Sequence, residues 1–404
     1  MGGANENSFE KRFTMKKICF IVDSIFSIGG VQRVTAVIAK ELAKDYDVSI
    51  VTFDKPELQD TNLYGLKEVD ISYRFFSYPK ISNLKMRLCK AYSGLYLKLQ
   101  PQYEWCSDMY AHSSYPSELR NALLAELKKG NYDVIIGVHA PLAARLATLK
   151  KHLPNVKCIG WLHNSYEALF GEDSHYYIGA KRLRHYIYQF RKLDDVVVLC
   201  QDDANRFNTY DKHFAPTVIY NPLTLKAGVP STGTSKRFLT IGRFTPLHKG
   251  IDLLIEAFNI FAQKNKEWKL DIVGEGKEEE TFRKLIEGYK LEDRVTIHPF
   301  TNHIQEYYSG AQVYVLSSRW EGMPLVLVEA MSHGLPIVTS DLPVSKEILG
   351  DFGMYFKNGD IEDLARRLED ATHIDWEAKS KEALEIAKRF DIENIISQWK
   401  KLIE

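Results

Sequence analysis

Cysteine is scarce in this chain of 404 residues: Cys19, Cys89, Cys106, Cys158 and Cys200 form an odd, scattered set with no C-x-x-C pair. That excludes a disulfide framework and a zinc site of the usual spacing, and it points to a reducing compartment. Three of the five stand in apolar strand-like runs, where a thiol behaves as a small hydrophobe. No apolar run approaches the ~18 residues that a membrane-crossing helix needs. The opening MGGANENSFEKRFT has no apolar centre of the kind a secretory leader carries, and Glu6 takes the place where N-myristoylation at Gly2 wants Ser or Thr. Residues 1–14 are therefore expected to be a disordered extension. Net charge is absent as well, since 53 Lys and Arg balance 53 Asp and Glu. The balance hides an asymmetry: residues 1–234 hold 30 cations against 24 anions (+6), and residues 235–404 hold 23 against 29 (−6). Different partners are expected for the two halves.

What the chain does have is alternation. From Lys16 onward, short β-branched runs alternate with amphipathic helical patterns, the signature of parallel sheets covered by helices. The first set reads as strands at KICFIVD, DVSIVTF, YDVIIGV, VKCIGWLH, DVVVLC and TVIYNPL. Residues around 224–236, LKAGVPSTGTSKR, turn rich in Gly, Ser, Thr and Pro, as a linker would. A second set follows at RFLTIGR, KLDIVGEG, RVTIHPF, QVYVLSS, PIVTSD and GMYFK, and after Ile361 the pattern is helical to the end. The expected organisation is an N-terminal doubly wound domain over 15–224, a linker over 225–236, a second such domain over 237–374, and C-terminal helices over 375–404. In sheets of this kind ligands sit at the carboxyl ends of the strands, which predicts a cleft between the two domains.

The segment SSRWEGMPLVLVEAMSHG places Glu321 and Glu329 with seven residues between them in an otherwise nearly uncharged stretch. QVYVLSS reads as a strand and PLVLVEAMSHG as a short buried helix, with Pro324 in its first turn and Gly334 at its end. Glu321, Gly322 and Met323 then form the strand-to-helix turn, where backbone N–H groups and the helix dipole suit a phosphate. Glu329 leans back toward that N-terminus, where it can accept from a cis-diol such as ribose. The plainer alternative is a carboxylate favoured by the dipole together with one polar position on a buried helix. IGRFTPLHKG sets Arg243 and Lys249 between Gly242 and Gly250, a basic turn fit to stabilise a departing diphosphate. The one D-x-D, Asp45-Tyr46-Asp47, falls between the first helix and second strand, on the edge away from the cleft, and reads as turn chemistry rather than a metal site.

Taken together these segments resemble the retaining nucleotide-sugar glycosyltransferases of family 4, over nearly the whole chain from Lys16. The E-x7-E pair, SIGGVQR with Gly29 and Gly30, IGRFTPLHKG, the Gly-x-Gly of IVGEGKEEE at Gly274 and Gly276, GWLHN with His163, and NPL at Asn221–Leu223 occur in the order of that family. The resemblance implies an α/β chain of GT-B fold, two Rossmann-like doubly wound domains facing across a cleft, with the last helix packing back on the N-terminal domain. It implies a hexosyl- or N-acetylhexosaminyl-transferase that takes a nucleotide-sugar, a UDP-sugar foremost, and passes the sugar with retention to a glycan or polyprenyl-diphosphate-linked acceptor. Glu321, His163, Arg243 and Lys249 are implied in catalysis. Gly29, Gly30, Gly242, Gly274, Phe300, Thr301, Gly322, Met323, Leu325 and Glu329 are implied in donor binding, the base lying near Phe300 and Thr301. No cofactor or metal is implied. Front-face transfer, in which the leaving phosphate takes the acceptor proton, is favoured over a covalent intermediate because no carboxylate of the motif set declares itself a nucleophile. A UDP-sugar epimerase of the same fold and an inactive nucleotide-sugar-binding scaffold are the alternatives. Two departures from the family pattern are Gln32, where an acid often follows the Gly-Gly pair, and LPVSKEI, which keeps only Glu347 of a Gly-Gly-Glu segment.

Ile71 to Tyr103 contains no acid, yet carries Arg74, Lys80, Lys85, Arg87, Lys90 and Lys98 among Phe, Leu, Met and Tyr; residues 181–192, KRLRHYIYQFRK, are a second acid-free stretch. Basic, aromatic-rich amphipathic segments suit an anionic membrane surface, and an acceptor on a lipid carrier would sit there. A solvated helix face over its core stripe accounts for the same pattern equally well. No nucleic-acid-binding motif accompanies either stretch, so nucleic acid is not an expected partner. The expected location is the cytoplasm, extending to the inner face of the cell membrane.

Overall fold

β-branched runs pair in parallel into two separate sheets in the computed structural model, which describes residues 15–171, 178–225 and 228–404. The expected disordered extension at 1–14 lies outside the described residues. The first sheet comprises β1 (Lys17–Val22), β2 (Asp47–Thr52), β3 (Ser72–Phe75), β4 (Val134–Val138), β5 (Lys157–Trp161), β6 (Asp195–Val198) and β7 (Thr217–Val218), in the order β3-β2-β1-β4-β5-β6-β7. The second comprises β8 (Arg237–Ile241), β9 (Lys269–Val273), β10 (Val295–His298), β11 (Val313–Leu316), β12 (Ile337–Ser340) and β13 (Met354–Phe356), in the order β10-β9-β8-β11-β12-β13. Each order reverses once, between β1 and β4 in one sheet and between β8 and β11 in the other. Those reversals leave a crevice at the carboxyl ends of the strands.

The central strands are apolar without alternation because helices cover both faces. β4 is buried at all five positions, and helix Gly30–Leu42 sets Val34, Ile38 and Leu42 against the sheet at helical spacing. Cys19, Ile21, Leu142, Leu146, Phe190 and Phe207 meet in the first core. Phe238, Phe258 and Trp268 anchor the second, with the rings of Phe238 and Trp268 stacked at 4.6 Å. Each such aromatic or leucine contributes about 1.5–3 kcal/mol by leaving water. All five cysteines are free thiols, and Cys19 and Cys158 are buried in strands.

The chain divides into a first unit reaching Tyr220 and rejoined by Ile396–Glu404, and a second unit of Asn221–Ile395. The terminal helix Ile392–Ile403 brings Trp399 edge-on to Trp161 at 4.8 Å within the first unit, where Lys16 Nζ donates to the Ile403 carbonyl at 3.1 Å. Lys400 Nζ donates to Asp45 at 2.6 Å, so the first acid of the D-x-D sequence serves as a helix tether at the amino end of β2. In the Gly/Ser/Thr-rich segment, the described residues are bound along the second unit: Ser231 N–H donates to the His333 carbonyl and Lys236 N–H to Gln312 Oε1. One strand differs from the sequence reading. β3 lies within the acid-free 71–103 stretch, at the sheet edge and only partly buried, so Ser72–Phe75 lacks the apolar run that marks the interior strands.

Candidate active site

In the second unit, β8 and β11 deliver their following loops to the reversal point. Lys249 Nζ donates to Glu321 Oε1 at 2.6 Å, and Ser318 Oγ donates to the same oxygen at 2.5 Å. His248 Nε2 stands 3.8 Å from the other oxygen, Oε2, and its ring stacks on Trp320 at 5.0 Å. The Glu321 side chain is only 8% exposed. Burial works to raise its pKa, but the Lys249 charge, reinforced by His248 and the Lys249 and Ser318 hydrogen bonds, outweighs burial and holds the carboxyl below its ordinary value. Ser318 is itself fixed, because Ser340 Oγ donates to its carbonyl at 2.7 Å. The Arg243 guanidinium is exposed and makes no hydrogen bond or ion pair among the described residues. The turn thus offers one open cation and one held against a carboxylate.

The loops are zipped by backbone contacts that explain their glycines. Gly250 has φ +60°, and a Cβ there would stand 2.0 Å from the Ser317 carbonyl oxygen; Ser317 Oγ in turn donates to the Lys249 carbonyl at 2.9 Å. Gly274, at φ +155°, would drive a Cβ to 2.0 Å from the Gly242 carbonyl oxygen. Gly242 has no such strain, but a Cβ on it would press on Cγ of Lys249 at 3.3 Å. Arg319 locks the same loop with a forked pair to Asp252 at 2.9 and 2.6 Å. Gly242, Gly274 and Gly250 therefore shape the loop that carries Arg243 and Lys249.

Helix Leu325–Ser332 follows the turn of Glu321, Gly322 and Met323, with Pro324 at its N-cap and Gly334 just past its end at φ +72°. Met323 is buried, and its Sδ accepts from Asn221 N–H at 2.9 Å, which joins the NPL turn to this loop. Leu325 opens the helix and is half-buried. Glu329, 2% exposed, lies inside: its Oε2 accepts from the Tyr308 hydroxyl at 2.8 Å, and Tyr308 has no exposure at all. The carboxylate is aimed by a buried phenol from helix Ile304–Gly310. Phe300, 44% exposed, and Thr301, whose Oγ1 accepts from His303 N–H at 3.0 Å, follow the edge strand β10.

In the first unit, β5 ends at Trp161 and His163 lies two residues on, buried, with its ring 4.2 Å from Trp161 and 5.5 Å from His139. Burial, aided by His139, pushes the His163 pKa well down, so the ring is neutral, and its Nε2 finds no hydrogen-bond partner among the described residues. A buried polar atom left this way costs free energy that a bound ligand can recover. Gly29 and Gly30 begin helix Gly30–Leu42, but the Gly29 N–H already donates to the Tyr64 hydroxyl at 3.0 Å. Gln32 lines a small hollow with Asp23, Thr35 and His139 at the reversal between β1 and β4.

Four participants escape sequence reasoning. Tyr308 lies in an unremarkable helix, and Ser318 and His248 stand inside SSRWEGMPLVLVEAMSHG and IGRFTPLHKG but are not the residues those segments single out. His139 follows β4 with φ +76°, a strained conformation for a histidine, beside His163. Only HA at 139–140, closing the run YDVIIGV, could have drawn the eye to it. No group of three or more His, Cys, Asp or Glu suited to a metal ion occurs among the described residues.

Comparison with known proteins bears on the whole chain. A family model described as Glycosyltransferase Family 4 matches residues 28–226, and one described as Glycosyl transferases group 1 matches residues 224–389. An uncharacterized glycosyltransferase of Haemophilus influenzae is 28% identical over 408 residues, covering 96% of this chain and all of that one. The amylovoran biosynthesis glycosyltransferase AmsD of Erwinia amylovora is 27% identical, covering 84% of this chain and 85% of its own. Among solved structures, HepE of Anabaena in complex with UDP and glucose superposes with a TM-score of 0.71 at 18% identity, over 96% of this chain and 99% of that one.

Proposed function

Since the chain belongs to the GT-B glycosyltransferases, with the family 4 and group 1 models matching its two halves, we propose that it transfers a sugar from a UDP-sugar, with retention, to a glycan or polyprenyl-linked saccharide in surface polysaccharide synthesis. The observation that carries this reading is the Lys249–Glu321 pair beside the exposed Arg243, at the end of β8 and β11 where a helix N-terminus also points. A nucleoside diphosphate gains charge as it departs. Lys249, fixed before the reaction, stabilises that charge without reorganising, and the open Arg243 adds to it, so no metal is called on. Glu329, aimed by Tyr308, takes the ribose hydroxyls; Phe300 and Thr301 border the base; the neutral His163 offers Nε2 to the donor sugar. In the second unit the amide turn at Gly322 and Met323 is assigned to the phosphates; in the first, the helix start at Gly29 and Gly30 is assigned to the donor. Transfer runs by front-face attack, the leaving phosphate taking the acceptor proton.

The complex of HepE with UDP and glucose supports the choice of donor, and AmsD supports the polysaccharide context. The test is a donor screen with the purified protein: UDP- and GDP-sugars, with and without a membrane lipid extract, following free nucleoside diphosphate and the anomeric configuration of the product. Acceptor-dependent UDP release with a retained anomer is expected. Interconversion of the sugar without release, or binding with neither, contradicts the reading.

A further inference from the structure

Helix Asn83–Leu99 turns its apolar side outward. Leu84, Leu88, Leu95 and Leu99 share one stripe and are 71, 64, 52 and 65% exposed, and exposed Ala91 completes the run. Rolling the helix cannot hide them, because its opposite side is already seated on helix Glu104–Ser114. Tyr96 stacks on Tyr110 at 4.4 Å, the Tyr92 hydroxyl donates to the Cys106 carbonyl at 3.2 Å, and the Ser93 and Ser113 hydroxyls meet at 2.9 Å. Lys85 adds a bond to Glu118 at 2.6 Å on the neighbouring helix. At the corner after the helix, Tyr103 and Trp105 are 68 and 61% exposed, and Met109 continues the patch. Single exposed leucines need no explanation; a continuous stripe ending in two aromatics does.

On the helix itself every charge is positive. Exposed Arg87, Lys90 and Lys98 flank the stripe. Beyond the corner a cavity of ≈ 470 Å³, walled in part by Tyr96, Tyr103 and Tyr188, carries Arg184 and Arg191 from the second acid-free stretch together with Glu104 and Asp211, the last 3.3 Å from Arg191. The acids here are engaged: Glu104 lies 3.7 Å from Arg191, and Asp108 pairs with Lys192.

We propose that this face docks on the surface of an anionic lipid bilayer, with the leucine stripe and Trp105 in the interface and the flanking cations on the headgroups. A second copy of the chain suits the face poorly, because a two-fold contact would set the cationic flank against itself. The helix lies on the bilayer rather than through it; among the described residues no helix is long and apolar enough to cross a membrane. The inference goes beyond the proposed reaction and does not rest on it.

Flotation of the full-length protein with vesicles tests it without any turnover. Binding is expected to vesicles of phosphatidylglycerol in phosphatidylcholine, to weaken with salt, and to be lost with phosphatidylcholine alone. The triple variant Leu84→Ser, Leu88→Ser, Leu95→Ser loses at least about a hundredfold in partitioning, while circular dichroism and melting temperature stay those of the parent. Arg87→Glu with Lys98→Glu weakens binding by roughly fivefold or more for each charge. Failure of the parent to bind anionic vesicles, equal binding by the triple variant, or a dimer that the serines dissolve without any vesicle binding overturns the proposal.

Discussion

Lys249 and Glu321, 72 residues apart in sequence, meet at 2.6 Å through Nζ and Oε1. The contact fixes a cation on the loop after β8 by means of a carboxylate on the loop after β11, so both sides of the sheet's reversal point are tied together. Neither charge is free to wander, and a cation that need not reorganise is the kind that lowers a barrier.

The pair gives a pH signature. Glu321 is held below its ordinary 4.5 in the folded chain, so its ionised form stabilises the fold above that value, and the contribution is lost as pH falls through the folded value. Glu321→Gln should melt at lower temperature than the parent at neutral pH, by about 3 kcal/mol of stability, because Lys249 loses its counter-charge. The gap should close as the medium is acidified below 4.5. Thermal denaturation across pH measures this; an unchanged gap in acid contradicts the role given to the pair.

The Tyr308–Glu329 hydrogen bond predicts a second outcome. Tyr308→Phe removes the donor that aims the carboxylate, and Glu329→Ala removes the carboxylate itself. Calorimetric titration with UDP should show weaker binding for both, with Glu329→Ala losing about 1.5–3 kcal/mol, the worth of hydrogen bonds to a charged group, and Tyr308→Phe less. Unchanged UDP affinity in Glu329→Ala removes the ribose assignment.

Two glycines of one loop should fail in opposite ways. Gly250→Ala forces a left-handed backbone costing ~1–2 kcal/mol and a collision with the Ser317 carbonyl, so the melting temperature should fall. Gly242→Ala meets only the flexible stem of Lys249, and should leave stability near that of the parent while reducing turnover. Equal melting temperatures for Gly250→Ala and the parent would show that the loop is not held as described.

Twelve of the strands are legible in the sequence: the interior ones because parallel strands covered on both faces need apolar residues at every position, and the edge strands β7, β10 and β13 through the β-branched and aromatic residues of TVIY, VTIH and MYF. The glycine and basic turns are legible too, since loop chemistry is local: φ +60° at Gly250 demands glycine wherever the sheet places it. β3 escapes because SYRF, with no buried position and with Ser and Arg among its four residues, carries neither an apolar run nor a β-branched residue. The site partners escape for another reason. Tyr308 reaches Glu329 across 21 residues and Lys249 reaches Glu321 across 72, and such pairs are set by sheet order, which no local spacing encodes. The acid-free stretch 71–103 shows the limit of composition most plainly. Its cations and leucines suited a membrane face and a solvated core helix alike, and only the seating of Tyr92, Ser93 and Tyr96 reveals that the leucines point outward.

The most direct test of the account is the effect of Lys249→Ala on the chemical step, read as single-turnover rate and donor dissociation constant in the same preparation. A cation that acts on the leaving diphosphate should cost roughly two orders of magnitude in rate and little in donor affinity. Equal losses in rate and affinity would make Lys249 a binding residue only, and would contradict the role assigned to its pairing with Glu321.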